Sequence, residues 1–165
     1  MIRMEIYVLA SSRTNEMAKL FLDTWARGFA EGADEYTFPQ YAANPTATYH
    51  SPTELIEVLV RNPAEEYSIY WDNPDGTGQI AGGMLSFTSD GAMIVGINIY
   101  IKELDNGDVD RRELKKPLQD LAQTVNGAYG FWDFERPPPD TALEFIAIAK
   151  KAPLPSLVNG VLLEA

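Results

Sequence analysis

The run at 79–101, QIAGGMLSFTSDGAMIVGINIYI, is two apolar segments on either side of Ser-Asp-Gly, and it leaves this chain few alternatives to a β-hairpin. Side-chain parity decides the loop. A two-residue Asp90-Gly91 turn sets Thr88, Ser86 and Gly82 on the face of Met93, Val95 and Ile97. A three-residue Ser89-Asp90-Gly91 loop shifts the pairing by one and places Phe87, Leu85 and Ala81 with Met93, Val95, Ile97 and Ile99. A one-residue slip sends every side chain to the opposite face, so burial selects the second register. The loop then needs a left-handed residue, which Gly91 supplies at little steric cost. Gly82-Gly83 inside the first strand marks a bulge or a close backbone approach.

The flanking segments extend this hairpin into a sheet. Residues 66–71, EYSIYW, alternate Tyr67, Ile69 and Trp71 on one face with Tyr70 on the other, and so predict a three-strand antiparallel meander over about 67–101. Residues 4–10 read as the first strand, with Glu5 breaking what would otherwise resemble a leader's apolar core. Thr14 caps a helix expected over 15–29, with Met17, Leu20, Phe21, Trp25 and Phe29 inward. Residues 35–41 suit a short strand that Pro39 confines to an edge, and 42–50 are a connection. Ser51-Pro52-Thr53-Glu54 is a capping box that opens a helix with Leu55, Ile56 and Leu59 buried and Asn62-Pro63 as its stop. A further helix is expected over 111–125, capped by Asp110 and either kinked at Pro117 or regular only from there, with Asn126-Gly127 ending it. Residues 129–134 read as a strand, ERPPP at 135–139 as polyproline, and Thr141 with Glu144 as the box of a helix to about 151 with Leu143, Ile146 and Ala149 inward. The tail at 152–165 is apolar enough to dock on the body. The order β-α-β-α-β-β-β-α-β-α predicts one α+β domain over 1–165. It is expected to be a mixed sheet with a central meander and about four helices, and Met84, Ile94 and Tyr100 leave room for helices on both sheet faces.

Function is constrained mainly by exclusion. The formal charge of −11 argues against nucleic acid as direct partner and suits a basic protein or plain solubility. The absence of cysteine removes disulfides, thiolate nucleophiles and cysteine metal sites, and fits a cytoplasmic location. No run is long and apolar enough for a membrane helix. His50 is the single histidine, so a histidine metal site cannot be built, and no orienting carboxylate stands near it in sequence. No nucleophile elbow, phosphate loop or H-E-x-x-H is present. The meander does bring one cluster together. In an up-down-up arrangement the 72–78 loop and the exit of the last strand lie at one end, gathering Asp72, Asp75, Glu103, Asp105, Asp108 and Asp110. Such a rim must be solvated, paired with Arg111 and Arg112, or bound to something positive. Neither DNGDVDRRE nor DNPDGTG fits a calcium loop, so no metal or cofactor is expected, and these residues are candidates for contact with a basic protein.

EYSIYW, GAMIVGINI and FERPPPDTALEFIAIAK resemble small acidic immunity-type proteins of bacterial toxin systems, over about the C-terminal two-thirds of the chain. That resemblance implies a cysteine-poor, non-enzymatic α+β protein that binds and neutralises a cognate toxin, often a basic nuclease, and it assigns no catalytic residue. GQIAGGMLSF followed by a turn and helix also resembles the core of an acetyltransferase of the GNAT type. Where that family holds pyrophosphate on a glycine-rich turn, this chain has ELDNGDVDRREL, with one glycine and four acids, which speaks against the reading.

Overall fold

Along the chain the structure runs β1 (Ile2–Leu9), α1 (Asn15–Trp25), β2 (Ala30–Glu31), β3 (Tyr36–Phe38), β4 (Ala47–Tyr49), α2 (Pro52–Arg61), β5 (Tyr67–Asp72), β6 (Ile80–Phe87), β7 (Met93–Ile101), α3 (Arg112–Thr124), β8 (Tyr129–Asp133), α4 (Ala142–Lys151), β9 (Ser156–Val158) and β10 (Val161–Leu163). It is a computed structural model that describes residues 1–76 and 78–164. Thr77, within the expected 72–78 turn, and Ala165, at the end of the expected docking tail, lie outside the described residues.

The hairpin takes the register that burial selects. Phe87 faces Met93, Leu85 faces Val95 and Gly83 faces Ile97. The Thr88 amide closes on the Ala92 carbonyl at 3.0 Å, leaving Ser89-Asp90-Gly91 as the loop with Gly91 at φ 87. A bulge between Ile80 and Gly82 then reverses the parity, so Ile80 and not Ala81 stands opposite Ile99.

β5, β6 and β7 are consecutive neighbours in an eight-stranded α+β sheet of order β10-β9-β8-β1-β7-β6-β5-β2. All its pairings are antiparallel, where the sequence suggested a mixed sheet. The reason is an inserted strand. The crossover from β7 through α3 to β8 joins two parallel strands, but β1 lies between them and pairs antiparallel with both. β1 and β7 therefore form the middle of the sheet, with Met4, Ile6, Val8, Met93 and Val95 fully buried.

Three helices cover the first sheet face. Phe21 of α1, Leu55 and Leu59 of α2, and Leu114, Leu118 and Leu121 of α3 pack on Ile6, Leu85, Ile97 and their neighbours. Leu20 is exposed, contrary to expectation, because Ala18 and Phe21 carry the α1 contact, and α1 ends at Trp25 before Gly28 turns the chain at φ 76. Trp25 is half-buried and donates to Thr124 Oγ1 at 3.0 Å. α3 runs unbroken through Pro117. On the second face α4 packs Phe145 and Ala149 against Tyr7, Met84, Ile94 and Phe131. Leu143, expected inward, is 78% exposed, since the larger Phe145 ring takes the inner side and packs at a tilt with its centre 4.8 Å from that of Phe131.

Two stretches read as connection or unassigned tail are strands. Residues 47–49 pair with 36–38 in a two-stranded sheet, and the tail folds as a hairpin on Asn159-Gly160, both at positive φ (50 and 77), docking on β8 through Gly130 and Leu157.

The 88–92 loop joins the helices of both faces. The Arg13 guanidinium donates to the carbonyls of Leu59 (2.8 and 3.1 Å), Asn62 (3.0 Å) and Glu65 (2.9 Å) at the end of α2, and to those of Thr88 (2.7 Å) and Ala92 (3.3 Å). It also lies 5.0 Å from the Phe87 ring centre. Thr88 Oγ1 donates to Asp90 (2.6 Å), and Asp90 in turn accepts the Ala142 amide (2.8 Å) and the Leu143 amide (3.3 Å). Thr141 adds the α4 cap by accepting the Glu144 amide at 3.1 Å.

Replacing Arg13 by Ala strips charge-assisted bonds from several carbonyls at once and is expected to cost about 3 kcal/mol of unfolding free energy in a urea titration. Arg13→Lys should recover only part of this, since a single ammonium cannot reproduce the fork. Burial opposes ionisation of Asp90, but hydrogen bonds from Thr88, Ala142 and Leu143 outweigh it and hold its pKa below 3.8. A depressed carboxylate stabilises the fold above its unfolded pKa and loses that effect as pH falls through the folded value. Asp90→Asn should therefore destabilise at neutral pH by about 1 kcal/mol, with the gap to wild type closing below pH 3.8.

Candidate functional site

The acidic residues expected at one rim fall in three places. Glu103, Asp105, Asp108 and Asp110 share a compact turn between β7 and α3. Glu103 bridges Val109, the Leu104 amide bonds the Asp108 carbonyl at 2.7 Å, and Gly107 turns the chain at φ 81. Val109 is buried and anchors the turn, while Glu103 and Asp105 face solvent. Asp108 lies 3.8 Å from Arg111, and Asp110 accepts from Arg112 side-chain nitrogens at 2.7 and 2.8 Å and from the Arg112 amide at 3.2 Å. The Arg112 side chain, chiefly, holds the Asp110 pKa down. Asp75 lies in the connection that follows β5, its amide bonded to Asn73 Oδ1. Among the described residues no group of acids or His50 is arranged to hold a metal ion.

Asp72 points elsewhere. At the end of β5 it stands in one cross-strand row with Gly82, Asn98, Glu5 and Asp133, all on the second sheet face. This row borders the part of that face that α4 leaves open. The 136–140 segment closes one side, held by the Tyr7 hydroxyl donating to the Arg136 carbonyl. On the other side Gln40 pairs with the Ser68 backbone in both directions (3.1 and 2.8 Å), shielding the β5 edge beside β2. Between these walls lies a trough of about 250 Å³ floored by Ser68, Tyr70 and Ser86, with Tyr41 at its lip. Tyr41 is 90% exposed in a left-handed conformation (φ 62), and Tyr70 is 47% exposed.

Sequence reasoning passed over Glu5 and Asn98. Asn98 Nδ2 donates to Glu5 Oε1 at 3.1 Å, while Glu5 Oε2 is shut from solvent with no hydrogen-bond partner. Burial pushes the Glu5 pKa up, against the lowering influence of the Tyr7 hydroxyl, Arg3 and Asn98. Burial, reinforced by Glu5, also raises the Tyr7 pKa. A signal was present in the sequence: Glu5 and Asn98 interrupt the apolar runs of two strands at positions that share a face with Met84. His50 is exposed and takes no part in this region.

A carboxylate whose pKa is raised by folding favours the native state below its unfolded pKa and opposes it as pH rises through the folded value. Glu5→Gln is thus expected to raise unfolding free energy at neutral pH by about 1 kcal/mol. The gain should vanish as pH falls toward 4.5, read from urea titrations at several pH values.

No protein-family model matches this sequence, and no curated protein matches it. Among solved structures the chain is similar to one in the crystal structure of the toxic C-terminal tip of CdiA from Pseudomonas aeruginosa in complex with immune protein. The identity is 11%, the match covers 81% of this chain and 86% of that chain, and the TM-score is 0.47.

Proposed function

We propose that this chain is a non-enzymatic binding protein, an acidic immunity- or inhibitor-like module that works in the cytoplasm and neutralises a basic protein partner such as a toxin. Asp72, Asp75, Glu103, Asp105, Asp108 and Asp110 are its partner-binding acids, and it needs no cofactor. The observation that carries this reading is the turn between β7 and α3. Buried Val109 and internal hydrogen bonds hold that turn in shape, and it presents Glu103 and Asp105 to solvent with no ion pair among the described residues. Acids already fixed in position attract a basic surface without a large ordering cost, and a net charge of −11 extends the attraction beyond contact distance. The acetyltransferase alternative is disfavoured at the same place. The Asp110 carboxylate occupies the Arg112 amide, a first-turn donor that a pyrophosphate oxygen would use.

The neighbouring gene is the first source of a partner to express. With that protein, Asp105→Lys and Glu103→Lys should each slow association roughly tenfold in stopped-flow measurements, and the wild-type on-rate should fall steeply with salt. Association indifferent to both variants and to salt would remove the rim as the contact.

A further inference from the structure

We infer that Tyr41 is the anchor that this chain inserts into its basic partner, and this rests on the reading of the chain as an acidic binding protein. Tyr41 is 90% exposed and sits at φ 62, in the left-handed region where a bulky side chain crowds its own backbone. Glycine or asparagine suits such a position, as at Gly28, Gly91, Asn126 and Asn159. Neither burial nor backbone preference therefore accounts for an aromatic residue here. The turn that carries it is held from below. Gln40 exchanges two hydrogen bonds with the Ser68 backbone (3.1 and 2.8 Å), and the Ala42 amide closes on the Pro39 carbonyl at 3.3 Å. The ring thus stands on a fixed base, which leaves little backbone ordering for binding to supply.

The surroundings of the ring set the chemistry of what receives it. Tyr41 lines both the trough and a second hollow of about 250 Å³ against β3. Among the described residues lining them the charged ones are all acids, Glu66 and Asp140 in the trough and Glu35 in the second hollow. Tyr70, half-exposed, borders both and extends the aromatic surface. A projecting ring flanked by acids matches an apolar pocket on the partner rimmed by Lys and Arg. The ring fills the pocket while rim cations meet the carboxylates and the ring face. A rigid tyrosine in a desolvated pocket carries binding energy out of proportion to its area and loses little entropy in doing so. Charges of the 103–108 turn then govern encounter, and Tyr41 governs how long the complex lasts.

The test compares Tyr41→Gly with wild type, in thermal unfolding of the chain alone and in stopped-flow kinetics with the protein encoded by the neighbouring gene. Glycine relieves the left-handed strain, so the variant should melt at or above the wild-type temperature, by up to roughly 2 °C. Its complex should dissociate roughly a hundredfold faster, with association little changed. Tyr41→Phe keeps the ring and should retain most of the affinity. A variant that melts below wild type shows that the fold uses the ring, and overturns the anchor. Dissociation unchanged by Tyr41→Gly overturns it too. If Asp105→Lys and salt still slow association in that case, the acidic-rim reading stands; if they do not, or if no complex forms with that protein, both fail.

Discussion

One guanidinium holds the ends of several elements together. Arg13 lies just after the central strand, rests over the Phe87 ring and donates its hydrogen bonds to backbone carbonyls of the last turn of α2, its exit and the 88–92 loop. Those carbonyls are the acceptors that a helix end and a hairpin loop leave without partners, and they carry the negative end of the α2 dipole. Burial lowers the Arg13 pKa, while the Glu65 charge opposes that effect. The same loop turns its other side to α4 through Asp90. One short loop therefore sets the height of a helix on each sheet face, and the floor and wall of the trough inherit their spacing from it.

The inserted strand matters as much for the site as for the fold. If β7 and β8 were neighbours, as a simple crossover would leave them, Asn98 would lie beside β8 and Glu5 elsewhere. With β1 between them, residues from opposite ends of the chain meet in one row, Asp133 to Glu5 to Asn98 to Gly82 to Asp72. Glycine at 82 admits the close approach of the Trp71 carbonyl, 2.7 Å from where a Cβ would stand, with Asn98 Oδ1 at 3.2 Å from the same point.

What could be read without the structure was what short-range physics decides. The Ser89-Asp90-Gly91 loop followed from parity, Thr14, Ser51 and Thr141 proved to be caps, and Asn126 takes the left-handed position that ends α3. The alternation in 67–71 correctly separated Tyr70 from the core. Strand order was not readable, because nothing in MEIYVLA specifies which two strands it will part. The tail hairpin was readable in principle from Val158-Asn159-Gly160-Val161, a two-residue turn signal between apolar residues. The inner side of α4 was not, since Leu143 and Phe145 compete for it and the ring of Phe131 on another strand decides between them. The acids from Glu103 to Asp110 share a turn because they are neighbours in sequence, whereas Asp72, expected with them, stands on the second sheet face, so their grouping could be read only in part. Which of them are already neutralised by Arg111 and Arg112 could not be read, because those contacts depend on how the turn folds back before α3.

Glu5 separates what the fold needs from what it tolerates. A glutamine there would keep a side-chain oxygen to accept the Asn98 amide and would carry no charge into a place where one oxygen finds neither water nor a donor. Packing therefore gives no reason for the carboxylate. The carboxylate instead fixes the Asn98 amide and bears on two hydroxyls of the second sheet face, buried Tyr7 under α4 and half-exposed Tyr70, so its effects are electrostatic rather than steric.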